Sequence, residues 1–260
     1  MLKLRDMIDR SLLVEKIIHI PSNVLEMSVE VLGEISKDRD KLMSKCTDNY
    51  YNPYIDDRYK DFLKFKDLRG NNLSISIGLY NDENDAGCAR MDSKNGILLI
   101  NLSFLPYDEG SWREIVNHEL VHAMDPKVND MALYRRMYQK SGAEPDKNID
   151  KYQKSAWEYD AFSSSMINKL STNIKKTTPE YRTLLIQMLS DIKNKTVEEV
   201  LKDSRYESMP WIFLAVKDWN NSDFDDALSW CKRDLEAVKV WTKKPTLYKR
   251  FMKRLGTELV

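Results

Sequence analysis

The amino-acid sequence predicts a mainly helical α+β fold. Two short stretches carry strand patterns, Leu73–Tyr80 and Gly96–Leu105, and helical patterns both precede and follow them. Leu73–Tyr80 alternates apolar and polar residues, which is typical of a half-buried strand, and Asn95-Gly96 marks a turn before the second stretch. Strands grouped between helical blocks favour an α+β layout, because alternating βαβ units would interleave the two kinds of element.

Two helices are predicted before the strands, in the first 46 residues. Pro21 separates them, and Ser22 or Asn23 is placed to cap the second one. His19 stands in an apolar run just before the proline, where a histidine is usually a core residue with a satisfied hydrogen bond. Residues 47–60 are rich in Asn, Asp, Tyr and Pro, which predicts a loop.

The chain after the strands is predicted to be helical. Apolar residues at helical spacing favour a helix over residues 156–170 and several amphipathic helices between residues 178 and 260. The chain is therefore expected to comprise an N-terminal helical segment, a central core and a C-terminal helical part, over residues 1–60, 61–172 and 173–260 respectively.

Composition predicts a soluble globular protein. The 260 residues are 42% hydrophobic and 32% charged, and Lys plus Arg equals Asp plus Glu at 41 each. Zero net charge gives no reason to expect nucleic acid or an anionic membrane as a partner. No apolar run approaches the roughly 18 residues of a membrane span, and the charged N-terminus lacks the apolar core of a secretory signal. We therefore expect a cytoplasmic protein, or one carried in a phage particle if it is phage-encoded.

The three cysteines are Cys46, Cys88 and Cys231, which are far apart in the chain. They form no Cys-x-x-Cys pair and no disulfide framework, so buried free thiols in a reducing compartment are expected. The sequence therefore gives no support for a thiolate metal site.

The most informative stretch is His118-Glu119-Leu120-Val121-His122, which lies in an otherwise apolar helical pattern. Residues four apart on an α-helix project from the same face, so the two imidazoles can bind one zinc ion. Glu119 lies beside them and can take a proton from a metal-bound water. Burying two imidazoles and a carboxylate on one helix is costly without a partner, and a metal supplies that partner.

The ends of this helix are also predicted. Ser111 and Glu114 have the spacing of a capping box, in which each side chain satisfies a free backbone donor, so the helix is expected to open there. Pro126 is expected to end it.

A catalytic zinc usually has three protein ligands and one open position. The remaining histidine, His19, lies upstream in an apolar setting, and no thiol is near the motif, so a carboxylate is expected. Glu158 is the preferred candidate because it lies near the start of an apolar helix, close to Ala161 and Phe162. A carboxylate that faces inward there needs a cation. Asp160, on the same helix, is the weaker alternative.

The motif and the downstream helix with Glu158 together resemble the gluzincin branch of the zincin metallopeptidases, the group that includes thermolysin. Glu158-x-x-Ala161-Phe162 is similar to the second-helix motif of small bacterial and phage-encoded zincins. The resemblance covers about residues 70–170. The chain departs from thermolysin in the sequence around the third ligand and in a longer interval between His122 and Glu158.

This resemblance implies a zinc-dependent endopeptidase that binds one Zn²⁺ per chain and hydrolyses a protein or peptide substrate. It implies His118, His122 and Glu158 as ligands, with Glu119 as the general base that activates water and passes the proton to the leaving amine. It also implies a small zincin-type sheet packed on the active-site helix, to whose edge strand the substrate adds as a further strand. The residues expected in that edge strand are Ile97, Leu98, Leu99, Ile100 and Asn101.

Further site residues are expected around the metal. Asp125 lies seven residues after His118 on nearly the same helical face, so it either orients a ligand imidazole or ends the helix before Pro126. An electrophilic group that stabilises the oxyanion is usual in such enzymes, and Tyr152, Tyr159 or an arginine is the candidate.

A second interpretation is a zincin fold kept as a structural or binding component of a larger assembly, such as a phage particle or toxin complex. The C-terminal helical part has more mass than catalysis needs and would supply the surface for an assembly partner. The intact Glu119 favours the enzyme, since a scaffold has no chemical need for it. Four tryptophans of that part are expected in the core rather than at an interface, namely Trp211, Trp219, Trp230 and Trp241.

Overall fold

The computed structural model describes most of the chain after residue 17, and it confirms the mainly helical α+β class. The described residues fall into two compact units, one within Ile18–Gln139 and one within Lys140–Val260. The first of the two predicted N-terminal helices lies outside the described residues. The described ranges are 18–67, 70–85, 87–92, 94–105, 109–125, 156–216, 219–220 and 223–259.

The first unit begins with helix α1, which spans Ser22–Lys37, and the short helix α2, which spans Arg39–Met43. The prediction that Ser22 or Asn23 caps α1 is wrong, because Pro21 is the N-cap residue. The carbonyl of Pro21 already accepts hydrogen bonds from the amides of Val24 and Leu25, at 2.9 and 3.1 Å. The helix therefore starts at the first residue after the proline.

His19 is exposed, so its predicted place in the core is wrong. The neighbouring side chains of Ile18 and Ile20 are buried, with 4% and 9% of their surface exposed. Successive side chains of an extended segment point to opposite sides, so burying both isoleucines turns the histidine outward.

Four strands form one mixed sheet in the first unit. They are β1 (Leu63–Lys66), β2 (Asn72–Tyr80), β3 (Ala89–Asp92) and β4 (Ile97–Asn101). Their order is β1-β2-β4-β3, with β2 and β4 parallel and the other two pairs antiparallel. Strands β2 and β4 confirm the two predicted strand regions, whereas β1 and β3 were not predicted.

The prediction that Ile97, Leu98, Leu99, Ile100 and Asn101 form an edge strand is wrong. These residues are β4, which pairs with β2 on one side and with β3 on the other. The physical reason is the unpredicted strand β3, which pairs with the side of β4 that was expected to be open. Leu98, Leu99 and Ile100 are all buried. Within the described residues, the edge strands are β1 and β3.

Helix α3 spans Glu109–Met124 and carries the His-Glu-x-x-His motif. It begins two residues before Ser111, so the predicted capping box does not mark its N-terminus. Glu109 favours the earlier start because a carboxylate in the first turn interacts well with the helix dipole and pairs with Arg113 one turn later, at 2.8 Å. The helix ends at Met124, as Pro126 predicts. It packs against α1 and β3.

The second unit is helical. Its core contains side chains from every helix, including the fully buried Trp241, whereas Trp211, Trp219 and Trp230 are partly buried. In the described parts of the chain, none of the helices has both the length and the apolar character that crossing a bilayer requires. The helices are α4 (Ala156–Ile174), α5 (Pro179–Asp191), α6 (Val197–Leu201), α7 (Phe224–Thr242) and α8 (Pro245–Glu258), with 3-10 turns at Ser204–Tyr206 and Met209–Phe213.

Candidate metal centre

Helix α3 brings the two motif histidines together on one face. The Nε2 atoms of His118 and His122 are 3.2 Å apart, and the two rings are nearly perpendicular, at 85°. His122 is buried, with 9% of its surface exposed, and His118 is half-buried. The predicted pairing of the two imidazoles is therefore present in the fold.

The distance between these nitrogens fits a shared zinc ion. Zn–N bonds are about 2.0–2.1 Å long, so two nitrogens on a tetrahedral ion are about 3.3 Å apart. The observed 3.2 Å between His118 and His122 is close to that value. Two neutral imidazoles so placed share at most one hydrogen bond, whereas a cation satisfies both lone pairs.

Glu158 is buried in the first turn of α4, with 4% of its surface exposed. The structure brings it together with the two histidines, since one ligand atom from each of His118, His122 and Glu158 lies within 4.8 Å of the others. Two imidazoles and a carboxylate form a donor set that zinc accepts. Over the described ranges, no other group of three or more histidine, cysteine or acidic residues is arranged to hold a metal ion.

Asp160, the alternative third ligand, is used elsewhere. Its Oδ1 accepts hydrogen bonds from Arg250 and Arg254, both at 3.0 Å. A carboxylate oxygen neutralised by two guanidinium groups is a poor ligand for a cation. The contacts of Asp160 therefore favour Glu158 as the carboxylate of the site.

Glu119 is half-buried on α3, and its position can be inferred from a neighbour. Burial raises the pKa of the Cys88 thiol, and the negative charge of Glu119 raises it further. A carboxylate has this effect only on a thiol that lies near it. Glu119 is thus close to the residue that immediately precedes strand β3, a relationship that nothing in the sequence indicates.

Asn101, predicted as part of the substrate strand, instead organises the loop that leads to β3. Its side chain is fully buried, and its Nδ2 donates to the carbonyls of Asp82 and Asp85, at 2.8 and 2.9 Å. Its Oδ1 accepts from the amide of Asp82 at 3.2 Å. Asp85 also forms an ion pair with Arg90 on β3. The side chains of Asn101, Asp85 and Arg90 therefore hold this loop and strand β3 in place.

Two of the weaker predicted site residues have structural contacts. The hydroxyl of Tyr159 donates to the carbonyl of Leu247 at 2.7 Å, and its ring packs on Trp241, so its predicted role at the oxyanion is wrong. Asp125 is buried, and its amide donates to the carbonyl of Val121 at 2.9 Å, which completes the last turn of α3. Its predicted role in orienting an imidazole remains a prediction. Tyr152 lies outside the described residues.

All three cysteines are free, as predicted. The prediction that they are buried is confirmed for Cys231 and is wrong for Cys46 and Cys88, which are partly exposed. None of the three belongs to the metal-ligand group.

Comparison with known proteins gives no further information about the site. No protein-family model matches the chain, and neither a curated protein nor a solved structure matches it. The resemblance to gluzincins accordingly rests on the His-Glu-x-x-His motif and on Glu158, read with the geometry given above.

Proposed function

We propose that this protein is a zinc-dependent endopeptidase of gluzincin type. The observation that carries the proposal is the convergence of His118, His122 and Glu158, with Glu119 next to His118 in the sequence. A structural metal site needs the three ligands but has no chemical use for Glu119, whereas metal-assisted peptide hydrolysis uses all four side chains.

In this proposal the two imidazoles and the Glu158 carboxylate hold the ion. Zn²⁺, when bound, lowers the pKa of a water molecule to about 7 and polarises the scissile carbonyl. The ligand atoms lie within 4.8 Å of one another, which is wider than the about 3.3 Å between ligands on a tetrahedral ion. Small side-chain rotations are therefore needed to bring the three ligand atoms to the spacing that the ion requires.

Glu119 is the proposed general base. It accepts a proton from the attacking water, whose oxygen then adds to the carbonyl carbon of the substrate. Glu119 next delivers that proton to the amide nitrogen, so that the C–N bond breaks and the amine leaves. Its position on α3, directly after His118 and three residues before His122, suits a group that works at the same reaction centre.

Strand β3 is the proposed substrate strand, in place of β4. The amide of Asn101 donates to the carbonyl of Cys88 at 2.9 Å, which makes these two residues a hydrogen-bonded pair of the antiparallel ladder. Hydrogen-bonded pairs alternate with non-hydrogen-bonded ones, so the backbone groups of Ala89 and Met91 point away from β4. An extended peptide can use those donors and acceptors. The packing of α3 against β3 supports this choice.

Metal analysis combined with one variant tests the proposal. Purified protein is expected to contain about one zinc per chain and to cleave an unfolded protein such as casein at internal bonds. Glu119→Gln should retain the zinc and lose the cleavage. Glu109→Gln on the same helix is the matched control, because Glu109 is exposed and pairs with Arg113, and it should keep both. The proposal is contradicted if the wild-type protein binds no zinc. It is also contradicted if the Glu119→Gln variant cleaves casein as well as the wild type does.

A further inference from the structure

The first turn of α4 is attached to α8 by buried charges. Asp160 accepts from Arg250 Nη2 and Arg254 Nη1, both at 3.0 Å, and we name these three residues the Asp160 ion cluster. The side chains of Asp160 and Arg254 are 4% and 5% exposed, whereas that of Arg250 is 26% exposed. Ion pairs screened from water in this way fix geometry more firmly than surface pairs do.

Neighbouring residues of α4 strengthen the same attachment. Tyr159 donates to the carbonyl of Leu247 at 2.7 Å, and the guanidinium of Arg250 lies over its ring at 4.4 Å. Arg254 also donates to the hydroxyl of Ser163, one turn further along α4, at 3.4 Å. Three side chains of α4 therefore bind α8, all within five residues after Glu158.

Two of the three α4 side chains, Asp160 and Ser163, lie on the other side of the helix from Glu158. Each residue turns an α-helix by about 100°, so Asp160 points about 200° away from Glu158. Attaching the far side of α4 fixes its rotation about the axis, and that rotation determines where the Glu158 carboxylate lies.

We propose that the Asp160 ion cluster positions Glu158 as a metal ligand. This inference rests on the proposed function, since it assumes that Glu158 binds the ion. The cluster carries a net positive charge, which by itself repels a cation. Its contribution to metal binding is therefore geometric, and Asp160, Arg250 and Arg254 are positioning residues.

The direction in which zinc affinity changes in two variants distinguishes a geometric effect of the cluster from an electrostatic one. Asp160→Asn makes the region more positive and Arg254→Met makes it less positive, so a purely electrostatic effect changes zinc affinity in opposite directions. Loss of positioning lowers affinity in both variants, by about 10–100-fold, which is typical when a group that orients a ligand is removed. Zinc affinity is measured on the full chain by competition with a chromophoric chelator. The visible absorption of the Co²⁺-loaded protein reports the ligand geometry separately.

The chain contains a matched control on the same helix. Lys169 of α4 and Asp234 of α7 form a pair at 2.6 Å, with both side chains 6% exposed. Lys169 lies 11 residues after Glu158, about 16 Å along the helix. Asp234→Asn should lower thermal stability but leave zinc affinity and the Co²⁺ spectrum unchanged. Arg254→Lys, which keeps the charge, should restore part of the affinity lost in Arg254→Met.

The outcomes are distinguishable from failure of the proposed function. Wild-type protein that binds no zinc overturns both proposals. If the wild type binds zinc and both cluster variants bind it equally well, only the positioning role is overturned. Tighter binding by Arg254→Met overturns it too. Where Asp160→Asn or Arg254→Met fails to fold, Arg250→Met, at a more exposed position, provides the same comparison and should also weaken zinc binding and alter the Co²⁺ spectrum.

Discussion

The charge of Glu119 acts on the thiol of Cys88, and it adds to burial in raising the pKa of that thiol. Because the thiolate is the reactive form, the raised pKa makes Cys88 slow to alkylate at neutral pH. In metal-free protein, Glu119→Gln removes the charge and so lowers the pKa. The rate at which iodoacetamide alkylates Cys88 rises with pH as the thiolate forms. In Glu119→Gln we expect this rise to occur at lower pH, so that the rate near pH 8 increases severalfold.

Cys46 provides an internal control for that experiment. Burial raises the pKa of its thiol to about 11, with no contribution from Glu119. Its alkylation rate, followed for each site by mass spectrometry, should be the same in the two proteins. Equal rates at Cys88 in wild type and Glu119→Gln would show that the two groups are not neighbours.

Replacement of a single histidine should abolish zinc binding. His122→Ala removes one of the three proposed ligands, a buried imidazole. We expect this variant to retain less than about one-tenth of the wild-type zinc after dialysis. A ligand that binds only the folded state stabilises it, by about 2.7 kcal/mol when its concentration is 100 times the dissociation constant. Added zinc should therefore raise the melting temperature of the wild type but not that of His122→Ala.

His19→Ala is the matched control, because it removes the third histidine of the chain, which is exposed. Its zinc content and its response to added zinc should equal those of the wild type. Zinc loss in His19→Ala, or full zinc retention in His122→Ala, would place the metal elsewhere.

Proline substitutions test the proposed substrate strand. Met91→Pro removes an amide that points away from β4, so we expect kcat/KM for a peptide substrate to fall about tenfold or more while the melting temperature changes little. Arg90→Pro instead removes an amide expected to bond to Leu99, and should destabilise the fold by about 1–3 kcal/mol. Full peptidase activity in Met91→Pro would exclude β3 as the substrate strand.

Lys239 has a structural role that chemical denaturation can measure. Its ammonium group donates to the carbonyls of Ile192, Lys193 and Lys195, at 2.9, 3.3 and 2.8 Å, just beyond the end of α5. Lys239→Met leaves these acceptors without a charged donor, so the free energy of unfolding should fall by about 2–3 kcal/mol.

An exposed lysine of the same helix supplies the comparison for Lys239. Lys232 pairs with Glu198 at 3.9 Å, and both side chains are more than half exposed, at 51% and 61%. Lys232→Met should change stability by less than about 0.5 kcal/mol. Equal effects of the two substitutions would mean that the three carbonyl contacts contribute nothing specific.

Residue spacing along the chain was enough to predict the motif helix and the two central strands. The four-residue spacing of His118 and His122 determines their common face on any α-helix, and the apolar run of β4 determines a buried strand. Strand order is different, because the placement of β3 against β4 depends on pairing that a four-residue segment such as Ala89–Asp92 does not encode by periodicity. The edge strand was therefore misassigned.

The choice between Glu158 and Asp160 shows the same limit at the site. Both carboxylates lie near the start of one apolar helix, and the sequence gives only a preference. What separates them is the pair of arginines 90 and 94 residues later, which bind Asp160. Contacts over such separations depend on the tertiary fold, so only the structure shows that Asp160 is bound by two arginines.

The position of β3 at a sheet edge also affects self-association. An unpaired strand edge can bind any extended chain, including another copy of the same protein, and long flat edges promote aggregation. Here the edge is only four residues long, which is too short to form a long flat edge. A strand of this length suits brief pairing with a peptide that is then released, and it gives little template for the growth of a fibril.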